Sequence, residues 1–378
     1  MQNQSIHIVS FNIPFPANYG GVIDVFYKIK SLHQEGIKII LHAFEYGRAK
    51  APELEKYCTE VYYYKRPVSI PKQISTLPFI VKTRDANELL SNLLKDDFPI
   101  LFEGLHTCYF LDHPKLKDRK KYIRMHNIEW QYYAHLAKVE KSFLKKNYFK
   151  VESRKLKAFE SVVENTDALL CISKNDLDYF GKKYPSIPSH YIPAFHPNEN
   201  VTGQEGSGSY VLFHGDLSVK DNEEAALYLL SEVVQGVDCQ WIISGLNPSE
   251  QLSLAIDKND KVELKANASH EEMENLIKNA HVNILLSFHS AGMKLKLLNA
   301  LFKGRFCVVN DFMIDNTGLE DLCIIGNNKM ELQNALNSVL EKEFSSNEII
   351  KRKDRLEKYF SNEKWGNEIL GILEFRHA

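Results

Sequence analysis

The sequence predicts an α/β protein with two doubly wound domains in series, and three observations support this prediction. Short apolar runs alternate with longer amphipathic patterns along the chain, which is typical of parallel strands connected by helices. A polar segment at residues 198–209 (NENVTGQEGSGS) interrupts the alternation, which then restarts. The length of 378 residues exceeds one ordinary core and indicates about two domains.

In the first half, the pattern predicts strands at residues 7–12, 38–44, 61–64, 100–103, 121–126, 168–173 and 190–193, with helices such as 22–35 and 86–94 between them. This order indicates a parallel sheet wrapped by helices. Residues 349–375 carry a long helical pattern that includes Trp365 and predicts a C-terminal helix that crosses back to the first domain. The first domain is therefore placed at residues 1–198 together with about 355–378.

In the second half, strands are predicted at residues 210–214, 239–244, 261–264, 281–287, 306–310 and 322–325. Helices are expected to begin at Glu223, Ser249, Glu271, Met293 and Lys329. The second domain is placed at residues 199–354. Because ligands of doubly wound domains bind at the carboxyl ends of the strands, a cleft between the two sheets is the expected site.

Composition excludes several classes of protein. A hydrophobic content of 44% and a charged content of 25% are those of a soluble globular protein, and the formal net charge of −2 argues against a dedicated nucleic-acid binder. The six cysteines have no disulfide or CxxC spacing, and the N-terminus has no secretory pattern, so a cytoplasmic location is expected. No apolar run approaches the ~20 residues of a membrane span.

The second domain offers two elements that suit an anion. A loop of small residues at 287–293 opens an amphipathic helix, whose free N–H groups and dipole favour a phosphate beside Lys294 and Lys296. The first strand of this domain ends at His214 and Gly215, where Lys220 can neutralise a phosphate across a short loop. Two such elements fit a diphosphate, although one more βα unit with solvated lysines explains the same pattern.

Asn222 follows the same strand and is expected to cap the helix that begins at Glu223. Capping alone explains this residue, so it carries no separate functional expectation.

In the first domain, the turn after the first strand contains Gly20 and Gly21, which allow a ligand to approach the backbone closely. It lacks the GxGxxG fingerprint, and no acidic residue ends the next strand, which argues against a dehydrogenase. A purely structural turn is the alternative.

His126 lies at the carboxyl end of a predicted strand, where it can exchange a proton or hydrogen bond with a reacting hydroxyl. Arg124 and Glu129 can set its charge or bind an anion, and Glu103 and His106 are weaker candidates for the same site. A structural histidine is the alternative reading.

Residues 138–157, from Lys138 to Lys157, combine lysines with interleaved aromatic residues in a helical pattern. A solvated helix face explains this segment, and so does a patch that holds the protein on anionic lipid at the inner face of the membrane.

Taken in order, these motifs resemble the GT-B glycosyltransferases, and within them the retaining family-4 enzymes. The resemblance covers nearly the whole chain. It is carried by the Gly20–Gly21 loop, the HNxE-like sequence at His126, a CIS sequence at 171–173, the FHGDL sequence at 213–217, and the block from Ser290 to Gly304.

The resemblance implies two Rossmann-like domains, with an acceptor in the first and a nucleotide-sugar donor in the second. It implies His126 as the catalytic residue beside the transferred sugar, and Gly20, Gly21, Arg124 and Glu129 as an acceptor or phosphate loop. The implied donor-binding residues are Gly215, Lys220, Gly292, Met293, Lys294, Lys296 and Asn299. No metal and no cofactor are implied, with the nucleotide-sugar as co-substrate, and the implied activity is hexosyl transfer to a glycan or lipid-linked acceptor in cell-surface polysaccharide synthesis.

One departure from the family pattern is serious. The family usually carries two glutamates eight positions apart, and the matching residues are Ala291 and Asn299. Asn299 can still hydrogen-bond a hydroxyl, whereas Ala291 cannot. A non-catalytic module that binds a nucleotide or glycan, and a nucleotide-sugar isomerase on the same fold, therefore remain open alternatives.

Overall fold

The computed structural model describes residues 4–69, 72, 74–288 and 295–375. Within these residues the chain forms two compact units. The first contains the chain up to Pro197 and again from Asn362, and the second contains residues 198–288 and 295–361. The chain thus returns to the first unit at Asn362, later than the expected position of about 355.

The first unit is built on a parallel sheet of seven strands in the order β3-β2-β1-β4-β5-β6-β7. The strands are β1 (Ser5–Ser10), β2 (Lys38–Glu45), β3 (Glu60–Lys65), β4 (Ile100–Glu103), β5 (Lys121–Met125), β6 (Ala168–Cys171) and β7 (Ser189–Tyr191). All residues of β1, β4, β5 and β6 are buried, as expected for strands covered on both faces. Each strand predicted from the sequence overlaps one of these.

Helices cover both faces of this sheet. They are α1 (Gly20–Gln34), α2 (Phe79–Lys82), α3 (Asn87–Leu93), α4 (Glu129–Val139), α5 (Phe143–Phe159), α6 (Lys174–Lys183) and, from the C-terminus, α14 (Asn362–Ile372). The lysine-rich segment 138–157 spans the end of α4 and most of α5.

The second unit repeats the architecture with six parallel strands in the order β10-β9-β8-β11-β12-β13. The strands are β8 (Tyr210–His214), β9 (Gln240–Gly245), β10 (Val262–Ala266), β11 (Val282–Leu285), β12 (Phe306–Val309) and β13 (Ile324–Ile325). The helices are α7 (Lys220–Tyr228), α8 (Glu250–Ile256), α9 (His270–Asn279), α10 (Leu295–Lys303), α11 (Asp311–Ile314), α12 (Lys329–Leu340) and α13 (Ser346–Tyr359). The core of this unit includes the fully buried Trp241.

Each sheet has a point where the strand order reverses. In the first unit this point lies between β1 and β4, and in the second between β8 and β11. Because the loops after such neighbouring strands diverge to opposite faces, the carboxyl ends of the strands leave a crevice there. The residues that follow β1 and β4, and those that follow β8 and β11, therefore lie at these two crevices.

The structure corrects the expectation of one long C-terminal helix. α13 ends at Tyr359 and α14 begins at Asn362. The Asn362 side chain donates to the carbonyl of His196 and accepts from its N–H, at 2.7 and 3.2 Å. A Cβ on Gly366 would lie 2.4 Å from Ser31 Oγ, so glycine permits the close packing of α14 on α1. These contacts fix the break where the chain rejoins the first unit.

Two smaller expectations also change. α7 begins at Lys220, so Asn222 lies inside the helix instead of capping it. The segment expected as a free linker is anchored to the second unit, where Thr202 N–H donates to the Phe302 carbonyl at 2.7 Å and Gly206 pairs with Phe344. Among the described residues, no helix is long and apolar enough to cross a membrane.

Candidate active site

In the first unit, side chains from the ends of three neighbouring strands meet. Phe11 follows β1, Glu103 ends β4 and His126 follows β5, and these strands lie side by side in the sheet. The Phe11 ring packs edge-on against the His126 ring, with centroids 5.4 Å apart. The strand-end position predicted for His126 is therefore observed, at the crevice of the first sheet.

His126 is held by Glu103. Its Nε2 lies 2.9 Å from Glu103 Oε2, and the other carboxylate oxygen, Oε1, lies 2.8 Å from Lys28 Nζ. Glu103 and Lys28 are fully buried, and His126 is nearly so. Both oxygens of Glu103 are thus engaged, which prevents the carboxylate from turning away from the imidazole.

The same ion cluster continues through Asp24 to Arg124. Lys28 Nζ lies 3.1 Å from Asp24 Oδ2, and Arg124 binds both oxygens of Asp24 through Nε and Nη2, at 3.0 and 2.8 Å. Arg124 also donates to the carbonyl groups of Ile192 and Pro193. Arg124 was expected in an acceptor or phosphate loop. In the structure its guanidinium donates to groups inside the protein instead, so it is not placed to bind a phosphate.

Electrostatics keeps both carboxyl groups of this cluster ionised. Burial alone would raise the pKa of Glu103, but Lys28 and the hydrogen bond with His126 lower it below its ordinary value. Burial likewise opposes ionisation of Asp24, yet Arg124 and Lys28 hold the pKa of Asp24 far below its ordinary value. The cluster is therefore two anions balanced by two cations, with His126 at one end.

Beside this cluster lie buried polar atoms with no hydrogen-bond partner among the described residues: His126 Nδ1, His106 Nδ1 and Glu129 Oε1. His106 Nδ1 and Glu129 Oε1 are 3.9 Å apart. Burial raises the pKa of Glu129 to about 8, and burial together with the nearby Arg84 holds the pKa of His106 well below its ordinary value. Near neutral pH the Glu129 carboxyl and the His106 ring are therefore polar but uncharged, which suits hydroxyl groups.

The glycines predicted to form a ligand loop occupy the first turn of α1. A Cβ on Gly21 would lie 2.6 Å from the Phe11 ring, which itself contacts His126. A side chain at position 21 would displace that ring. Gly21 therefore connects the start of α1 to the histidine through one aromatic side chain.

Ligand-type atoms of Asp24, Glu103 and His126 all lie within 4.8 Å of one another, which is a geometry that could hold a metal ion. Lys28 and Arg124 already occupy the carboxylate oxygens of this group, however. A metal ion would have to displace the Lys28 ammonium from between its two carboxylates.

In the second unit, the crevice is shaped by glycines at the ends of β8 and β9. A Cβ on Gly245 would lie 1.8 Å from the Gly215 carbonyl oxygen, and a Cβ on Gly215 would lie 3.0 Å from the Asn222 side chain. Asn222 Nδ2 donates to the Asp216 carbonyl at 2.8 Å, and Asn222 Oδ1 accepts from Lys296 Nζ at 2.8 Å. The predicted donor residues Gly215 and Lys296 are thus brought together by Asn222.

The other residues predicted to bind the donor lie in different surroundings. His214 is buried, and burial reinforced by Lys296 lowers the pKa of its imidazole to about 3, so it adds no charge near Lys296. Lys220 is exposed at the start of α7, 3.5 Å from Glu224. Asn299 accepts a hydrogen bond from Asn198 at 2.7 Å. Gly292, Met293, Lys294 and the substituted position Ala291 lie outside the described residues.

Sequence reasoning missed Asp24 and Lys28, the centre of the buried cluster. Their signal was available: an acid and a base four residues apart on the helix that follows β1, on a helical face that is otherwise apolar. A charged pair on the buried face of a helix is unusual and needs compensating partners. Arg124 and Glu103 are those partners.

Two doubly wound sheets with polar crevices at their reversal points define a GT-B protein, and residues 208–342 match the family "Glycosyl transferases group 1". The chain is a glycosyltransferase with a glycosyl transferases group 1 domain in its second unit. It is 29% identical over 331 residues to an "uncharacterized 44.6 kDa protein in cps region" of Klebsiella pneumoniae, covering 83% of this chain and 84% of that protein.

Solved structures share the fold at low identity. An α,α-trehalose-phosphate synthase (UDP-forming) from Burkholderia xenovorans has a TM-score of 0.67 at 10% identity, over 98% of this chain and 100% of that one. The TarM structure has a TM-score of 0.66 at 12% identity, over 98% of both chains. These likenesses confirm the GT-B fold predicted from the sequence.

Proposed function

We propose that this protein transfers a sugar from a nucleotide-sugar donor to a glycan or lipid-linked acceptor in the synthesis of a cell-surface polysaccharide. The observation that carries the proposal is the match of residues 208–342 to the glycosyl transferases group 1 family, on the unit that presents Gly215 and Lys296. The similarity to a protein of a cps region supports the polysaccharide context.

The second unit is the proposed donor site. Gly215 leaves room for a phosphate next to the backbone, and Lys296 supplies a cation held by the Asn222 amide and the Leu286 carbonyl. A structural neighbour from Arabidopsis thaliana was solved with UDP-L-rhamnose, at a TM-score of 0.55 and 12% identity, which supports this class of donor.

The first unit is proposed to supply His126 to the transferred sugar. In a retaining transfer, the bond from the sugar C1 to the diphosphate oxygen breaks while the acceptor oxygen bonds to C1 on the same face, and the acceptor proton passes to the departing diphosphate. The protein's main contribution is then to stabilise charge on that leaving group. Retention follows from the family-4 resemblance and is part of the proposal.

Transfer without a metal ion is also proposed. The potential metal ligands Asp24 and Glu103 are neutralised by Lys28 and Arg124, so that group has no charge left to attract a cation. Lys296 and the backbone around Gly215 are suited to perform the charge neutralisation that a cation performs in other transferases.

We further propose that the tip between α4 and α5 rests on anionic lipid. Phe143 and Leu144 are adjacent there and are 75% and 79% exposed. The exposed Lys138, Lys141 and Lys145 lie on both sides of them in the chain. Apolar side chains beside lysines are the pattern of a peripheral membrane contact, because the apolar groups insert while the lysines attract anionic headgroups.

The transfer proposal is tested by thermal unfolding with a panel of nucleoside diphosphates and nucleotide-sugars, in EDTA and then with Mg²⁺. A ligand at a hundredfold its Kd adds about 2.7 kcal/mol, which raises the midpoint by several degrees. We expect a shift with one base in EDTA, followed by transfer to a glycan acceptor with the anomeric configuration retained. A shift that requires Mg²⁺ would contradict the metal-free proposal, and absence of any shift would contradict the donor site.

The membrane proposal is tested by flotation with vesicles that contain 30% anionic lipid or none, a composition chosen for the experiment. We expect binding only to the anionic vesicles, and loss of binding in Phe143→Ser/Leu144→Ser. Ile350→Ser, which removes one exposed apolar side chain of α13, is the control. Equal binding by the double variant and the wild type would reject this surface.

A further inference from the structure

We propose that Arg66 and Arg84 bind a phosphate group of the acceptor, so that the acceptor of this protein is a phosphorylated molecule. The inference deepens the proposed function and rests on it only for the role of the bound molecule as the acceptor. All the contacts that carry it lie within the first unit.

Arg84 is a buried cation without a counter-ion. Its side chain is 3% exposed and donates to the carbonyl groups of Ile80 and Phe11, the latter at 2.7 Å. Its Nε is buried and has no hydrogen-bond partner, and no carboxylate in the described part of the chain pairs with this guanidinium. Arg124, by contrast, binds both oxygens of Asp24. Because an unpaired buried charge is costly, an anion from outside the chain is expected at Arg84.

Arg66 places a second cation beside the first. Its Nε donates at 2.9 Å to the hydroxyl of Thr83, the residue before Arg84, and its guanidinium lies 4.1 Å from the centroid of the Tyr46 ring. Arg66 is partly exposed, and its terminal nitrogens donate to no group among the residues that the structure describes. Burial, together with the charge of Arg66, lowers the pKa of Arg84 to about 9. Two like charges held this close favour the binding of an anion.

The acidic side chains of the adjoining segments already have partners. Asp85 contacts both Lys72 and Lys82. Glu152 Oε1 lies 2.9 Å from Lys155 Nζ. These two carboxylates face three lysines, so they leave no negative charge for the arginines.

Glu129 and Arg48 do not balance the charge either. Burial raises the pKa of Glu129 to about 8 in spite of the nearby Arg84, so its carboxyl is largely uncharged near neutral pH. Arg48 donates only to uncharged groups. Burial raises the pKa of Tyr19, and the charges of Arg48 and Arg84 oppose that rise, so both guanidinium groups lie near this phenol. Arg48 therefore adds a third cation to the same surface.

Aromatic rings are the other partners of these arginines. The Arg84 guanidinium lies 5.7 Å from the centroid of the Phe44 ring, and that of Arg66 lies 5.8 Å from the centroid of the Phe79 ring. A ring face attracts a cation, but it carries no net charge and is no substitute for an anionic oxygen. The terminal N–H groups of Arg66 therefore stay available to a ligand.

The excess charge favours phosphate over carboxylate. A phosphate monoester carries a charge of about −1.5 to −2 near pH 7 and three acceptor oxygens, whereas a carboxylate carries a single charge. Guanidinium groups match phosphate oxygens with pairs of parallel hydrogen bonds. Two neighbouring arginines without counter-ions thus fit one phosphate.

This site adjoins the crevice that holds His126. Phe11, whose carbonyl accepts from Arg84, packs its ring against the rings of His126 and His106, with centroids 5.4 and 5.5 Å away. A phosphate bound by the arginines would therefore anchor an acceptor whose hydroxyl extends into the crevice.

The phosphate has two possible sources. Glu152 of α5 accepts the Phe79 N–H at 2.6 Å, which fixes the segment with the arginines to the helix that begins at Phe143. A lipid-linked diphosphate fits this connection to the proposed lipid contact, and a water-soluble sugar phosphate offers the same group to the arginines. The experiment separates the two.

The direct test is modification of the full chain with phenylglyoxal, which reacts with accessible arginines, followed by peptide mapping. We expect inorganic pyrophosphate at about ten times its Kd to slow the modification of Arg66 about tenfold relative to chloride at equal ionic strength. Arg355, which is 39% exposed in the second unit, should react equally in both. Equal modification of Arg66 in both would overturn the proposal.

Thermal unfolding tests the role of both arginines. Lys296→Met is the parent, so that the second unit responds less to the anion. We expect pyrophosphate to raise the unfolding midpoint of the parent, but not after the further change Arg66→Gln or Arg84→Met. Arg154→Gln, at an exposed position of α5, is the matched control and should behave as the parent. Equal midpoint shifts in all four chains, or none in the parent, would overturn the proposal.

Three probes in the modification experiment identify the source of the phosphate. Protection of Arg66 by farnesyl diphosphate but not by galactose 1-phosphate would support a lipid-linked acceptor. Protection by both would support recognition of the phosphate alone, which a water-soluble sugar phosphate satisfies. Protection by glucuronate and by neither phosphate would overturn the proposal.

Kinetics with the donor found in the thermal screen extends the test to transfer. We expect Arg66→Gln to raise the KM of a phosphorylated acceptor about tenfold, as for loss of a charge-assisted hydrogen bond, with little change in kcat or in the KM of the donor. A fall in kcat at unchanged KM would contradict a binding role.

The two proposals fail separately. A chain whose Arg66 is protected by phosphate but that binds no nucleotide-sugar would contradict the proposed function alone. A chain that transfers sugar, while Arg66 is not protected by any phosphate, would contradict the phosphate site alone.

Discussion

The crevices of the two sheets hold their charges in opposite ways. In the first unit, Asp24, Lys28, Glu103 and Arg124 are fully buried and pair with one another. In the second, Lys296 is only partly buried and is held by an uncharged amide and a carbonyl. The charges of the first crevice are balanced by its own buried side chains, whereas Lys296 in the second is partly exposed and donates to the Asn222 amide and the Leu286 carbonyl.

This difference suggests that the first crevice holds a side chain in place, whereas the second binds a charged ligand. A balanced, buried ion cluster adds little net attraction for a charged ligand, but it holds a neighbouring ring rigidly. A lysine that is partly exposed at a strand end can be reached by a phosphate, which its ammonium attracts. We therefore expect damage to the first crevice to reduce stability and turnover, and damage to the second to reduce donor binding.

The largest effect is expected from Asp24→Asn. The change leaves Arg124 and Lys28 buried with one anion between them, and breaking a buried ion pair typically costs about 3–5 kcal/mol. Urea unfolding should show this loss in the free energy of unfolding.

Asp221→Asn is the matched change at the second crevice, where Asp221 accepts hydrogen bonds from Ser287 Oγ and Phe288 N–H at 3.3 and 3.1 Å. It should cost about 1 kcal/mol, as for an ordinary hydrogen bond. Equal losses in the two variants would remove the contrast between the crevices.

The next effect concerns Glu129, whose pKa is raised to about 8 by burial. The folded state therefore favours the protonated form, and its stability falls as the pH rises from about 4.5, the ordinary value, to about 8. Glu129→Gln cannot ionise, so its free energy of unfolding should exceed that of the wild type by an increasing margin across this window, on the order of a few kcal/mol at its upper end.

Urea unfolding at pH 5, 7 and 8.5 measures that margin. Glu250→Gln is the control, because Glu250 is also the first residue of a helix but is exposed, and its margin should not change with pH. A constant difference between wild type and Glu129→Gln would show that Glu129 is ionised in the folded state throughout.

Features that depend on neighbouring residues in the sequence were predictable, whereas features that depend on the order of the strands in the sheet were not. The strands were predictable because each is a local run of apolar residues, and His126 and Gly215 because they follow such runs directly. Arg124 also follows the pattern of β5, but its partner Asp24 lies on α1, far away in the sequence. A pairing of that kind depends on the sheet order, which places β5 two strands from β1.

The break before Asn362 illustrates the same limit. Residues 349–375 have a continuous helical pattern, and this pattern alone does not predict the break between Tyr359 and Asn362. The break is set by the contacts of Asn362 with His196 and of Gly366 with Ser31, which exist only once the first unit has formed. Tertiary contacts here override local helical propensity.

The third effect concerns turnover. His126→Ala removes the imidazole beside the proposed sugar, and loss of one hydrogen bond at a buried site costs about 1–3 kcal/mol, or roughly 5- to 150-fold in kcat. We expect donor affinity to change little. His270→Ala, whose side chain is 81% exposed in the second unit, should behave as wild type in both measurements. Unchanged kcat in His126→Ala would remove the residue from the mechanism.

The smallest effect is expected from Lys296→Met, and it should appear in binding alone. Met keeps most of the apolar stem of the lysine, while the charge, which lies 5.8 Å from the centroid of the Phe213 ring, and the hydrogen bond to Asn222 are lost. Isothermal titration with the nucleoside diphosphate should show a Kd about tenfold higher, equal to about 1.4 kcal/mol, at an almost unchanged free energy of unfolding.

Lys220→Met provides the comparison within the second unit, because Lys220 is 46% exposed and lies 3.5 Å from Glu224. If Lys220→Met weakens binding as much as Lys296→Met, then the cation that matters to the diphosphate is not the one held at the end of β8. The donor would then be bound by the exposed start of α7, and the crevice at the end of β8 would lose its assigned binding role. A weaker effect of Lys220→Met would place the donor charge at Lys296, where Asn222 joins it to Gly215.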